Sequence, residues 1–99
     1  IIQPTEGQLD IPHFNIHVIA TPGHKEDAVC YHLPDEDILF TGDTLFQESI
    51  GRTDLPGGDM HTLICSLKKL LHLPENTQVY PGHGYPTTIA HEKQYNPYL

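Results

Sequence analysis

Apolar residues Phe14, Ile16, Val18 and Ala20 alternate with Asn15, His17 and Ile19. That is the two-residue period of a strand with at least one buried face. Thr21-Pro22-Gly23 stops the run. Residues 28–33 (AVCYHL) predict a second strand, Pro34-Asp35-Glu36 its turn, and residues 37–41 (DILFT) a third, so these two form a hairpin. After Asp59 the period lengthens: Met60, Leu63, Ile64, Leu67, Leu70 and Leu71 recur at helical spacing, a stripe expected to be core. Asp59 suits the N-cap of this helix, Lys68 and Lys69 lie in its last turns where the helix dipole favours them, and Pro74 is expected to end it. Gln78-Val79-Tyr80 predicts a short fourth strand, and Thr87 or Thr88 caps a final helix over residues 89–95 that runs into Asn96-Pro97. Residues 44–58 (TLFQESIGRTDLPGG) read as too irregular for regular structure and too apolar for disorder, a kind of loop that often carries function. Residues 1–13 predict no more than a hairpin edge or an irregular lead-in. The order strand, hairpin, helix, strand, helix predicts an α/β (α+β) unit, a β-sheet with helices on it, in a single domain over residues 1–99.

Composition narrows the class. A chain of 99 residues buries about two-thirds of the surface its unfolded form exposes, which leaves a thin stability margin. It opens on Ile1-Ile2 with no charged-then-apolar leader, which reads as a trimmed or partial chain and not as a signal peptide. No apolar run approaches the ~20 residues needed to cross a bilayer, so no membrane partner is expected. The net charge is −8 with no basic stripe, which disfavours a nucleic-acid partner. Cys30 and Cys65 lack the spacing of a disulfide scaffold or a zinc ribbon; both read as packed free thiols in a reducing cytoplasm. The excess that needs a reason is histidine, eight in all.

Two of the eight share a setting. His24 follows a strand-like run behind Pro22-Gly23, and His83 follows another behind Pro81-Gly82. Between them, Asp43 follows the third predicted strand behind Gly42. If these strands lie in one sheet, all three side chains emerge on the same edge. Imidazole nitrogen and carboxylate oxygen suit Zn²⁺, and also Fe or Mn, and Asp43 has two oxygens with which to bridge a pair of ions. The neighbouring glycines (Gly23, Gly42, Gly82, Gly84) permit tight turns and leave room for a substrate. Either histidine alone reads as a solvated loop residue; together, with Gly-Asp between them, they point to metal. The remaining histidines, His13, His17, His32, His61, His72 and His91, show no shared setting and read as surface or satisfied positions.

Five ordered motifs, TPGH at 21–24, TGDTLF at 41–46, SIGRTDLPGGD at 49–59, VYPGHG at 79–84 and TTIAHEKQYNPYL at 87–99, resemble the second half of a metallo-β-lactamase-fold hydrolase, and within that superfamily the short glyoxalase II-like (hydroxyacylglutathione hydrolase-like) branch. The resemblance covers almost the whole chain. It implies the C-terminal half of an αββα sandwich, with helices on one face of the sheet. It also implies roles: His24 as ligand to a first metal, Asp43 as the carboxylate bridging two metals and positioning the hydroxide, His83 as ligand to the second. Two divalent ions, zinc first and iron or manganese as alternatives, would supply a metal-bridging hydroxide near neutral pH and take up oxyanion charge. The substrate implied is a thioester such as an acylglutathione.

The chain departs from the family pattern in several places. The first-half His-x-His-x-Asp-His signature, which supplies the other ligands, has no counterpart: His13 to His17 has the wrong spacing. The chain thus carries half of an active site, and weak metal binding and little turnover are expected unless the missing N-terminal half, or a second copy of the chain, completes it. Lys25, Glu26 and Asp27 replace the residues that usually follow the first Pro-Gly-His, and Glu48 stands where Gly is common. Arg52 matches a basic position used against a substrate carboxylate and Tyr85 an aromatic substrate contact, yet Asp54 stands where glutathione-using relatives have an aromatic. Arg52 and Asp54 read equally as a buried structural pair, and Tyr85 as a packing residue. Two other functions compete: an iron-dependent persulfide dioxygenase, which shares Gly51-Arg52-Thr53-Asp54, and a non-catalytic truncated fragment that acts through self-association. A true β-lactamase fits less well, because many carry a cysteine where Asp43 stands.

Overall fold

In the computed structural model, which describes residues 7–11 and 14–99, the alternating run over residues 14–20 becomes a strand with a partner on each side. Strand β1 (Gly7–Ile11) pairs antiparallel with β2 (Phe14–Ala20), so this part of the lead-in is a hairpin edge, and β2 pairs antiparallel with β3 (Val29–Leu33). The predicted hairpin of β3 with β4 (Ile38–Gly42) is present. The chain then makes a small two-stranded sheet, β5 (Leu45–Phe46) with β6 (Ser49–Ile50), and enters helix α1 (Met60–Leu70). Strand β7 (Gln78–Pro81) lies parallel to β4. Strand β8 (Thr87–Thr88) pairs antiparallel with β7, and helix α2 (Ile89–Tyr95) follows at once. The large sheet runs β1-β2-β3-β4-β7-β8.

Register decides what each face carries. Ile19 pairs with Cys30 and Leu39 with Val79, and on this face Cys30, Leu39 and Val79 join Leu63, Leu67 and Leu70 of α1, Ile89 of α2 and Leu45 in one buried cluster. Both helices therefore cover the same face. The other face carries a cross-strand row in which Val18 pairs with Tyr31, Tyr31 with Phe40, and Phe40 with Tyr80. Phe40 is 43% exposed, and its ring lies 5.9 Å from that of Tyr80.

Helix α1 begins as its sequence directs: the Asp59 carboxylate accepts from the Thr62 backbone N–H and hydroxyl, and Lys68 and Lys69 sit in its last turn. Thr88 caps α2 in the same way by accepting from the His91 N–H. Several expectations need correction. The helix ends at Leu70, with Leu71 as C-cap, because the Leu73 and His72 N–H groups close a tighter turn on Leu70 and Lys69 before Pro74 can act. Met60 is 47% exposed and does not belong to the core stripe. Residues 44–58 are not wholly irregular, since they contain β5 and β6. Cys65 is exposed and not packed, whereas Cys30 is buried, and desolvation pushes its thiol up to about 11. His17 and His32 do share a setting, as cross-strand partners with ring centroids 6.4 Å apart; His13 lies outside the described residues. Among the described residues no helix is long and apolar enough to cross a membrane.

Candidate metal centre

Strand direction assembles the site. Strands β2 and β4 are both antiparallel to β3, and β7 is parallel to β4, so the C-terminal ends of β2, β4 and β7 share one edge of the sheet. Asp43 follows β4 directly and His83 lies two residues beyond β7. His24 starts farther away, because β3 separates β2 from β4, and the loop over residues 21–28 must carry it across. That loop is fastened at several points: Thr21 N–H donates to the Ala28 carbonyl, Asp59 N–H to the Gly23 carbonyl at 2.7 Å, and the Ser66 hydroxyl to the Pro22 carbonyl at 2.7 Å. Gly23 is obligatory at the contact with α1. Its φ is +138° and a Cβ there would fall 2.3 Å from Leu63 Cα.

The three side chains meet around Asp43. His24 Nε2 lies 3.8 Å from Asp43 Oδ2, and His83 Nδ1 lies 3.5 Å from Asp43 Oδ1, so each carboxylate oxygen faces one imidazole. The His24 side chain is largely buried and that of His83 is mostly exposed. His24 Nδ1 lies 2.8 Å from the Arg52 carbonyl oxygen. A carbonyl can only accept, so this nitrogen carries a proton, and in the neutral ring Nε2, the atom toward Asp43, presents a lone pair. Metal-ligating histidines are commonly oriented by such a bond. Phe46 packs on His83 with ring centroids 4.7 Å apart. Together His24, Asp43, Phe46, Gly51, Arg52 and His83 line a cavity of about 240 Å³.

The donor chemistry suits a divalent ion, and the His24 tautomer is the one ligation needs. The set is open, however: among the described residues no group of three His, Cys, Asp or Glu side chains is arranged to hold an ion by itself. A bound ion would take further donors from outside this trio.

The two proposed substrate contacts sit differently from one another. Arg52 forms a bidentate pair with Asp54, Nε to Oδ1 at 2.7 Å and Nη2 to Oδ2 at 2.9 Å. The pair is exposed and not buried, and the Arg52 hydrogen bonds pull the Asp54 carboxyl down to about 2. Tyr85 is 77% exposed and lines a neighbouring hollow with Phe46, Ser49, Ile50 and His83, outside the cavity that holds Asp43. Three contributions had no sequence signal: the Arg52 backbone carbonyl, the Phe46 ring, and Gly51, where a Cβ would fall 2.0 Å from the Asp43 carbonyl oxygen and 3.2 Å from His24 Cβ. All three residues lie within the motifs TGDTLF at 41–46 and SIGRTDLPGGD at 49–59, but no local pattern marks the ring, the carbonyl or the missing Cβ as a contact.

Comparison with known proteins gives a consistent family. The description of the metallo-beta-lactamase superfamily matches residues 5–83. The chain is 46% identical over 95 residues to a protein named probable metallo-hydrolase YqgX of Bacillus subtilis, covering 95% of this chain and 45% of that protein. It is 44% identical over 96 residues to one named hydroxyacylglutathione hydrolase GloC of Haemophilus influenzae, again covering 95% of this chain and 45% of that protein. Among solved structures, that of TTHA1623 in a di-iron-bound form superposes with a TM-score of 0.90 at 41% identity, covering all of this chain and 49% of the other. The chain thus spans about half the length of the relatives it matches.

Proposed function

The chain belongs to the metallo-beta-lactamase superfamily, and from that membership we propose that it carries one half of the metal site of a glyoxalase II-like hydrolase, the C-terminal half of the domain, acting on thioesters of the acylglutathione type. One observation carries the reading: Asp43 turns one oxygen to each of two histidines, and the inner one, His24, is held with its lone-pair nitrogen toward that carboxylate. When bound, two divalent ions, zinc first and iron or manganese as alternatives, lower the pKa of water and polarise the carbonyl under attack.

The chain's own residues do the holding. His24 Nε2 and His83 offer one nitrogen each, Asp43 offers both oxygens, and Phe46 shields one side of His83. Arg52, braced by Asp54, stands at the rim of the cavity as the cation for a substrate carboxylate, and Tyr85 in the next hollow offers a flat contact. The remaining donors come from the missing N-terminal half, which is also the natural cover for the Phe40–Tyr80 face; a second copy of the chain is the other candidate for both. Two free thiols suit a cytoplasmic protein. The dioxygenase reading stands second, carried by Gly51-Arg52-Thr53-Asp54 with its exposed ion pair.

Elemental analysis and zinc titration test the proposal, on this chain and on the chain joined to the N-terminal half of a relative. Zinc or iron bound weakly alone and stoichiometrically in the joined protein, reduced at least about tenfold in affinity by His24→Ala or Asp43→Asn, with thioester turnover only in the joined form, is the expected result. Equal metal uptake by wild type and variants overturns it. Oxygen consumption with a persulfide substrate and a single iron would replace hydrolysis by the second reading.

A further inference from the structure

Glu92 is completely buried, an expensive place for a carboxylate unless donors surround it. They do. Its Oε1 accepts from the Glu48 backbone N–H at 2.9 Å and from Asn96 Nδ2 at 2.8 Å, and its Oε2 from the Thr87 hydroxyl at 2.6 Å. Asn96 Nδ2 also donates to the Ser49 carbonyl at 3.1 Å, and Glu48 Oε2 lies 3.3 Å from His91 Nε2. Glu92, Asn96 and His91 all lie in α2 or directly after it, and all reach the same place: the turn between β5 and β6, where Glu48 holds a φ of +54°. A non-glycine residue in that region is disfavoured and persists where its surroundings hold it.

The clasped hairpin frames the candidate metal centre. Its first strand carries Phe46, which packs on His83. Its second strand leads to Gly51, whose N–H donates to the Thr44 carbonyl at 3.1 Å, and then to Arg52, whose carbonyl fixes the His24 tautomer. Helix α2 holds the β5–β6 segment, and that segment touches both His24 and His83. We propose that Glu92, assisted by Asn96, is a positioning residue for the His24–Asp43–His83 site, setting the orientation of both imidazoles through the β5–β6 turn; the metal consequence rests on the function proposed above, the positioning does not.

Nitrogen-15 NMR of the histidine rings tests it without metal, at a pH where the rings are neutral and a temperature where each variant gives a folded backbone spectrum. Wild type should show His24 with the proton on Nδ1 and nuclear Overhauser contacts between Phe46 and His83. In Glu92→Ala the His24 proton should shift toward Nε2 and those contacts should weaken, and zinc affinity should fall by at least about tenfold, as for other residues that orient ligands. Glu92→Gln should restore the signature, because its carbonyl can accept from Glu48 and Asn96 while its amide donates to the Thr87 hydroxyl. If Glu92→Ala does not fold, Asn96→Ala carries the same test with a smaller shift in the same direction. A folded alanine variant with the wild-type tautomer and ring contacts overturns the proposal, as does a folded glutamine variant that fails to restore them. Wild type with the Nδ1–H tautomer but no zinc affinity would overturn the metal reading and leave the positioning role standing.

Discussion

His32 is buried at 8% exposure beside His17, and desolvation first, then the neighbouring imidazole, lowers its pKa from the ordinary value of 6.5, with Asp37 opposing. The unfolded chain therefore takes up this proton at a higher pH than the native one does. Stability is full above about pH 6.5 and falls as the pH drops below it, because the unfolded state then binds more protons. Urea midpoints should be lower at pH 5.5 than at pH 7.5, and His32→Leu should flatten that difference; an unchanged slope would remove His32 as its source. This pairing was hidden in the sequence because register, not spacing, makes His17 and His32 partners. The trio His24, Asp43 and His83 was legible because turn formers mark each strand end. The Arg52 carbonyl that orients His24 was not, since every residue has a carbonyl and only the fold selects one. Gly51 shows the same limit: its lack of a side chain matters because Asp43 and His24 crowd it.

At the scale of elements, α1 was readable from its period, cap and final lysines, and misread only at its ends. The apolar spacing extends to Met60, but burial begins at Leu63, so the same period yields core residues at Leu63 and Leu67 and an exposed one at Met60. Leu67→Ala should cost about 2–5 kcal/mol in a urea melt and Met60→Ala no more than about 0.5 kcal/mol. Comparable losses at both would show that the whole stripe is packed. Strands β5 and β6 escaped notice because two residues each are too few to display alternation. Their turn also places Glu48, and not a glycine, at positive φ, so the usual turn signal is missing. The hold on that turn comes from Glu92 and Asn96, more than forty residues away in sequence, a separation that no local pattern reports.

For the molecule as a whole, the class followed from element order and the one-sided helix layer from the family resemblance, whereas the aromatic row on the other face followed only from register: Tyr31, Phe40 and Tyr80 fall in line across three strands, with Phe40 43% exposed. An apolar row of that kind, open to water, favours association. Sedimentation of the isolated chain should show mass rising with concentration and Phe40→Glu should suppress the rise; a monomer at every concentration would exclude a second copy as the cover. The parallel pairing of β4 with β7 has a consequence in time. The hairpins β1–β2 and β3–β4 close within a few residues and can form early, but β7 reaches β4 only after the chain has travelled through the β5–β6 turn and all of α1, and contacts between distant segments form slowly. His83 arrives with β7. The meeting of His83 with Asp43 is therefore expected among the last events as the chain folds, and any ion captured between them would then register completion rather than guide the way there.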